Sequence, residues 1–202
     1  MADELISKAD KARIARLDRI DSAFVMLFLV NLFHDQFQVC SKELILAICW
    51  EESLFQNIQQ LGGPAVGYGQ LEKDGRRIAN QHFTGNLSDF SEGAFTAPAI
   101  LSSQQTSVRA ISHCLAGLFD SLGSQAAALD GYAGVRQRPA NAAIPPRWKA
   151  CERDLQNVLS TGAALDFIAF ENALRKAREF ETSGPVYDHI HGKLWPLVDV
   201  LQ

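Results

Sequence analysis

The sequence predicts a mainly α-helical protein with a single domain. Two observations carry that expectation. Apolar residues recur at spacings of three and four along several segments, and no run of alternating apolar and polar residues is long enough to support a sheet of several strands. No internal repeat or low-complexity tract interrupts the chain. With 202 residues, 47% of them hydrophobic and 21% charged, the chain can bury one sizeable core, and a second full domain or global disorder is not expected.

The elements follow in order. The first 21 residues, MADELISKADKARIARLDRID, mix acids and bases, unlike the short cationic start of an export signal. The protein is therefore expected to be made in a cytoplasm without a recognisable signal peptide. Ala23 to Phe33 is the most apolar stretch, but it is about half the roughly 20 residues a membrane span needs and includes Asn31. It is expected to be a core helix, and no membrane span is predicted.

A second helix starts at Ser41, which can cap it while Glu43 complements the positive end of the dipole, and runs to about Ser53. Leu44 to Trp50 is apolar on every face, as a central helix would be, so Glu51 and Glu52 emerge beside the core. Two adjacent acids at a helix C-terminus are not what the dipole prefers. Gly62, Gly63, Pro64, Gly67 and Gly69 then form a segment that must turn sharply or lie close to another chain. A second loop region spans Asn80 to Pro98.

The clearest helix runs from Ser103 to Leu122, with Val108, Ile111, Leu115, Leu118 and Leu122 as its stripe, Ser102 or Ser103 as cap and Gly123 as stop. A third loop, Gly131 to Pro146, ends in two prolines that set up a helix from about Arg147 to Leu159. Ala163 to Phe180, with Leu165, Ile168 and Leu174, reads as a packing helix before an aromatic tail with Tyr187 and Trp195. Residues 1–40 and 161–202 are thus helical extensions of a core at 41–160, all in one globule.

Lys+Arg 19 against Asp+Glu 23 gives a formal net charge of −4, which argues against a nucleic-acid binder held by phosphate neutralisation. Cys40, Cys49, Cys114 and Cys151 show no metal-ligand spacing and read as buried thiols. His189 and His191 form a His-x-His pair without a partnering acid motif, so no metal and no cofactor are expected. His113 reads as a satisfied core or boundary histidine. Arg136, Arg138, Arg147 and Lys149 flank the third loop, as a solvated surface or as contacts to acidic groups of a ligand.

The informative stretch is WEESLFQNIQQLGGPAVGYGQL, from Trp50 to Leu71. It carries Glu52, Ser53 and Phe55, then Ala65, Gly67, Tyr68, Gly69 and Gln70, with Gly67 standing 15 and Gln70 standing 18 positions after Glu52. In these residues the chain resembles the catalytic region of the lytic transglycosylases and goose-type lysozymes of the lysozyme-like superfamily. The family's motif is a glutamate followed by Ser, an aromatic two positions on, and a small-residue loop ending in Gly-x-x-Gln. Gly131, Tyr132, Ala133 and Gly134 resemble its Tyr-Asn-Ala-Gly element. Either the asparagine is missing, or Tyr132 takes its place and Gly131 the tyrosine's. The resemblance covers roughly residues 41 to 155.

The resemblance implies a lysozyme-like helical domain, Glu52 as catalytic acid and base, and Ser53, Gly67, Tyr68, Gln70 and Tyr132 as substrate-binding residues. The substrate would be the β-1,4 linkage between N-acetylmuramic acid and N-acetylglucosamine in peptidoglycan glycan strands. Local physics agrees for Glu52, because a carboxylic acid beside Trp50 and Phe55 is pushed toward its protonated form by desolvation. Most glycosidases use a second carboxylate, and Glu72 and Asp74 are the nearest in sequence. Without one, a single glutamate acts first as acid and then as base while the sugar's own 6-hydroxyl closes a 1,6-anhydro ring. A wall-cutting enzyme without an export signal suggests a phage lysis protein or a delivered antibacterial effector held by an immunity partner, acting in the periplasm or on the wall. A glycan-binding or structural protein of a phage or secretion apparatus, and a chitinase-like hydrolase, are the alternatives.

Overall fold

The computed structural model describes residues 23–60, 62–160 and 166–177. The N-terminal charged segment, Leu165, Tyr187, Trp195 and the His189/His191 pair lie outside the described residues. Within them the chain is helical, with isolated bridges at Phe37–Cys40, Gln59–Val66 and Val66–Leu71 in place of strands.

Eight α-helices are described: α1 (Ala23–Phe33), α2 (Lys42–Ser53), α3 (Lys73–Thr84), α4 (Ala97–Ser102), α5 (Gln104–Leu122), α6 (Gln125–Tyr132), α7 (Ile144–Leu159) and α8 (Phe167–Ala177). Short 3-10 turns sit at Gly93–Phe95 and Pro139–Ala143. Helix α2 is the centre. Every residue from Leu44 to Trp50 is buried, with α1, α5, α7 and α8 packed around it. One apolar cluster joins Met26 and Val30 of α1, α2, Val108, Ile111 and Leu115 of α5, Trp148 and Leu155 of α7, and Phe170 and Leu174 of α8.

Caps fix the boundaries. The Ser41 hydroxyl accepts from Leu44 N at 3.0 Å and donates to the buried Glu152 carboxylate of α7 at 2.6 Å, so one side chain both starts α2 and ties it to a partner helix. Ser103, rather than Ser102, caps α5 by accepting from Thr106 N at 3.1 Å, and Gly123 ends it in the left-handed region. Helix α7 begins at Ile144, earlier than expected, because Pro145 and Pro146 occupy its first turn, where a missing N–H leaves nothing unpaired.

Three expectations need correction. The region from Asn80 is not all loop: α3 extends to Thr84, and α4 occupies Ala97–Ser102. Helix α3 escaped notice because two of its buried side chains are polar. Arg76 pairs with Glu92 at 2.5 Å, and Asn80 donates to Asp89 at 2.9 Å, so hydrogen bonds rather than an apolar stripe seat it. Helix α1 is buried on one face only, leaving Phe28 and Leu32 more than half exposed. The stripe of α8 runs through Phe170, Ala173, Leu174 and Ala177, while Ile168 faces solvent. Among the described residues no helix is long and apolar enough to cross a membrane.

All four cysteines are buried and free, as the spacing suggested, and burial pushes the thiols of Cys40, Cys114 and Cys151 up to about 12. His113 is buried too, in a cluster that joins α5, α3 and the turn after α1. Its Nδ1 lies 2.8 Å from His82 Nδ1, so one of those nitrogens carries the shared proton and the other is bare. Its Nε2 lies 3.1 Å from Asp35, which also takes Arg109 at 2.9 Å, and Phe37, Phe83 and Phe95 enclose the rings.

Burial holds His113 down to about 4, against the pull of Asp35 and with further lowering from His82 and Arg109. Its ordinary value is 6.5, so between 6.5 and about 4 the unfolded chain binds the extra proton. The stabilisation is complete above pH 6.5 and is lost as pH falls through 4. After allowance for solvent screening we expect a loss of order 2 kcal/mol. Urea unfolding from pH 7 to 4.5 should show it, and the slope should flatten in His113→Gln. Parallel slopes for wild type and variant would contradict it.

Candidate active site

The segment that carries the motif is also where the backbone is strained. Helix α2 ends in a left-handed Leu54, whose N–H reaches Trp50 O at 3.1 Å, while Phe55 N reaches Cys49 O at 3.3 Å. Glycine is the usual occupant of such a position; here leucine and phenylalanine stand there in succession, at φ 55 and 58. Gln70 follows at φ 46. Each such residue costs about 1–3 kcal/mol, and strain of this kind clusters where function over-determines the backbone. Among the described residues all positive-φ non-glycines fall between Glu52 and Leu71.

What holds the strained turn is packing and hydrogen bonding. Phe55 is sealed in the core 5.0 Å from the Trp50 ring. The Ser53 hydroxyl donates to Cys49 O at 2.9 Å and accepts from Gln56 N at 3.2 Å. The loop beyond folds on itself through Gly67 N to Ile58 O at 3.1 Å and the paired Val66–Leu71 backbone bonds. It is pinned to its neighbours by Tyr68 N to Ser107 Oγ of α5 at 2.9 Å and Asn57 Nδ2 to Ile100 O of α4 at 3.0 Å.

The two glycines of that loop serve close packing. A Cβ on Gly67, which sits at φ +83, would meet Ile100 Cγ2 at 2.5 Å and Ser107 Oγ at 2.7 Å. One on Gly69 would meet Ile111 Cγ1 at 2.6 Å and collide with the Tyr132 hydroxyl. That hydroxyl, at the end of α6, donates to Gly69 O at 2.9 Å, and the Tyr132 ring stands edge-on to Trp148 of α7 at 5.9 Å. Burial raises the Tyr132 phenol well above its ordinary value, with further contributions from the nearby Cys114 and Glu52. Glu52 also acts on Cys49, one turn back on α2.

Glu52 and Tyr132, from distant stretches of chain, are near enough for the carboxylate charge to act on the phenol, and the Tyr132 hydroxyl is hydrogen-bonded to the Gly67–Gln70 turn. The residues read as substrate-binding are in large part occupied by the protein itself. Ser53 is buried, Gly67 faces α4 and α5, the Tyr68 ring is wholly enclosed and offers no open stacking face, and Gln70 Nε2 donates to Ile58 O at 3.0 Å and Gly67 O at 2.8 Å. They build a packed platform that starts at the C-terminal end of α2. Glu52 itself is only partly buried. Of the two further carboxylates, Asp74 is 88% exposed and paired with Arg77, and Glu72 is paired with Arg138 at 3.4 Å.

Sequence reasoning missed the ion pairs made by the basic residues around the third loop. Arg147 donates to Glu51 at 2.7 Å, and Lys149 pairs with Glu152. With Arg138 on Glu72, three of the four basic residues around the third loop thus meet acids of the protein. Most of the partners are far apart in sequence, so no local pattern could have paired them.

Removing the Tyr132 hydroxyl in Tyr132→Phe leaves the Gly69 carbonyl without this donor, at about 1–2 kcal/mol. Gly69→Ala overpacks the same spot at about 1–3 kcal/mol. Because the alanine methyl collides with the hydroxyl that phenylalanine lacks, the double variant should lose less than the sum of the two. Additive losses in chemical denaturation would contradict this contact. No family model, curated protein or solved structure matches the chain.

Proposed function

We propose that this chain cleaves peptidoglycan glycan strands at the bond between N-acetylmuramic acid and N-acetylglucosamine, with Glu52 as general acid and base, in the manner of the lytic transglycosylases that residues 41 to 155 resemble. One observation carries it: Glu52 stands in the last turn of a helix whose middle, Leu44 to Trp50, is wholly buried, two residues before a backbone turn held in strain. A helix C-terminus disfavours negative charge, and α2 has no basic residue in its last turn. A carboxyl group placed there is favoured in its protonated form, as an acid acting near neutral pH requires.

The chemistry needs no second carboxylate. Glu52 gives its proton to the glycosidic oxygen as the bond from the anomeric carbon breaks. The 6-hydroxyl of the same sugar then bonds to that carbon and returns its proton to Glu52. No water is consumed and the product is a 1,6-anhydro sugar. The platform residues Ser53, Gly67, Tyr68, Gln70 and Tyr132 hold the turn from which Glu52 acts, and the glycan strand runs along the surface they support. Incubation of purified peptidoglycan with the protein tests this: soluble muropeptides are the expected result, and an undigested sacculus would move the weight to a glycan-binding role.

A further inference from the structure

A second titratable cluster stands apart from Glu52, where α3 packs along α5. Gly117 of α5 lets the two helices come close: a Cβ there would meet Ile78 Cγ2 at 2.8 Å and His82 Cβ at 3.3 Å. One turn earlier on α5, His113 meets His82 of α3, Nδ1 to Nδ1, at 2.8 Å. Phe37, Phe83 and Phe95 pack on the rings, which leaves the His113 side chain 8% exposed and that of His82 18%. The charged groups that face the pair are Asp35 from the turn after α1, and Arg109 and Asp120 from α5.

The four ring nitrogens offer three places for a proton. His113 Nε2 lies 3.1 Å from Asp35 Oδ2, the oxygen that also accepts from Arg109, so a bare Nε2 would set lone pair against lone pair. His113 therefore carries its proton on Nε2, and its bare Nδ1 accepts from His82 Nδ1–H. His82 Nε2 lies 3.7 Å from Asp120 Oδ2, and the Asp120 side chain is 67% exposed. A proton taken from water at that nitrogen leaves the contact between the rings intact. One more proton has only His113 Nδ1 to occupy, where two N–H groups meet head-on at 2.8 Å inside the phenylalanine cage. Two like charges at that distance drive the rings apart.

We propose that the His82–His113 contact is an acid-sensitive latch that holds α3 on α5 and lets go when a proton reaches His113 Nδ1. Burial, with the positive charge of Arg109 and the His82 ring beside it, sets that event at about 4 in the closed state, against 6.5 for a solvated histidine. Release reaches the loop next to it, because Arg76 of α3 donates to Leu71 O at 2.7 Å and so anchors the end of the Gly67–Gln70 turn.

The test is nitrogen NMR of the histidine rings together with amide hydrogen exchange of the whole chain from pH 8 to 4, in wild type and His82→Gln. At neutral pH the wild type should show His113 protonated on Nε2 and bare on Nδ1. Between pH 6.5 and about 4 the opening of α3, corrected for intrinsic exchange, should grow by up to about tenfold per pH unit while α7 stays protected. In His82→Gln the amide oxygen can accept from a protonated Nδ1, so His113 should titrate at higher pH and the α3 slope should flatten. A His113 proton on Nδ1 at neutral pH would overturn the latch, as would an unchanged slope in His82→Gln. Exchange of α3 and α7 in step would overturn it too, by making the response one of the whole fold.

Discussion

Glu52→Gln is expected to reduce peptidoglycan turnover by about 10²–10⁴-fold, the range general acid–base catalysis supplies, without a matching loss of fold. The amide matches the carboxyl in size and cannot give up a proton to a leaving oxygen. Because Glu52 is only partly buried and lies at the end of α2, its replacement should leave the melting temperature within a few degrees of wild type. Substrate affinity should persist, since the platform at the end of α2 is held by Ser53, Gln70 and Tyr132 through contacts the variant does not touch. Turnover by the variant at a comparable rate would show that the acid lies elsewhere.

The largest effect on stability is expected at Trp148. The indole is wholly buried between α2, α6 and α7, and Tyr132 leans on its face. Trp148→Ala should cost about 3–5 kcal/mol, combining lost transfer energy with the cavity left behind. In a chain of this size that is a fall of roughly 10 °C in melting temperature. Trp148→Phe keeps the ring and removes an indole N–H that is buried without a hydrogen-bond partner, so it should cost much less. The alanine variant should also lose turnover, because the wall behind Tyr132 goes with it. Thermal and urea unfolding of the two variants decide the matter, and a loss below about 1 kcal/mol for Trp148→Ala would contradict the packing described.

What could be read from the sequence follows the physics of each signal. Helix α2 was legible because a serine cap, an all-round apolar run and two terminal acids occur within one short segment, and all of them describe local interactions. Helix α5 was legible from its stripe and its Gly123 stop. Helix α3 was not, because Arg76 and Asn80 seat it through partners on the following loop, and no periodicity records that.

The candidate site divides in the same way. Glu52, Gly67 and Gln70 stand out by spacing, and Tyr132 by its glycine neighbours. The work these residues do inside the fold was not readable. A glycine that could admit a ligand and a glycine that admits Ile100 or Tyr132 look the same in sequence. The Glu51–Arg147 pair joins residues that only the folded chain brings into contact.

The most direct test of the central claim is digestion of purified peptidoglycan in ¹⁸O-labelled water by wild type and Glu52→Gln, with the released muropeptides resolved by mass spectrometry. A single-glutamate transglycosylase predicts products from wild type alone, each lighter by one water than the hydrolysed form and free of the label. Labelled, hydrated products would assign a hydrolase and require a second carboxylate or a water at the anomeric carbon. No products from either protein, or equal products from both, would contradict the assignment of Glu52 as the acid of this site.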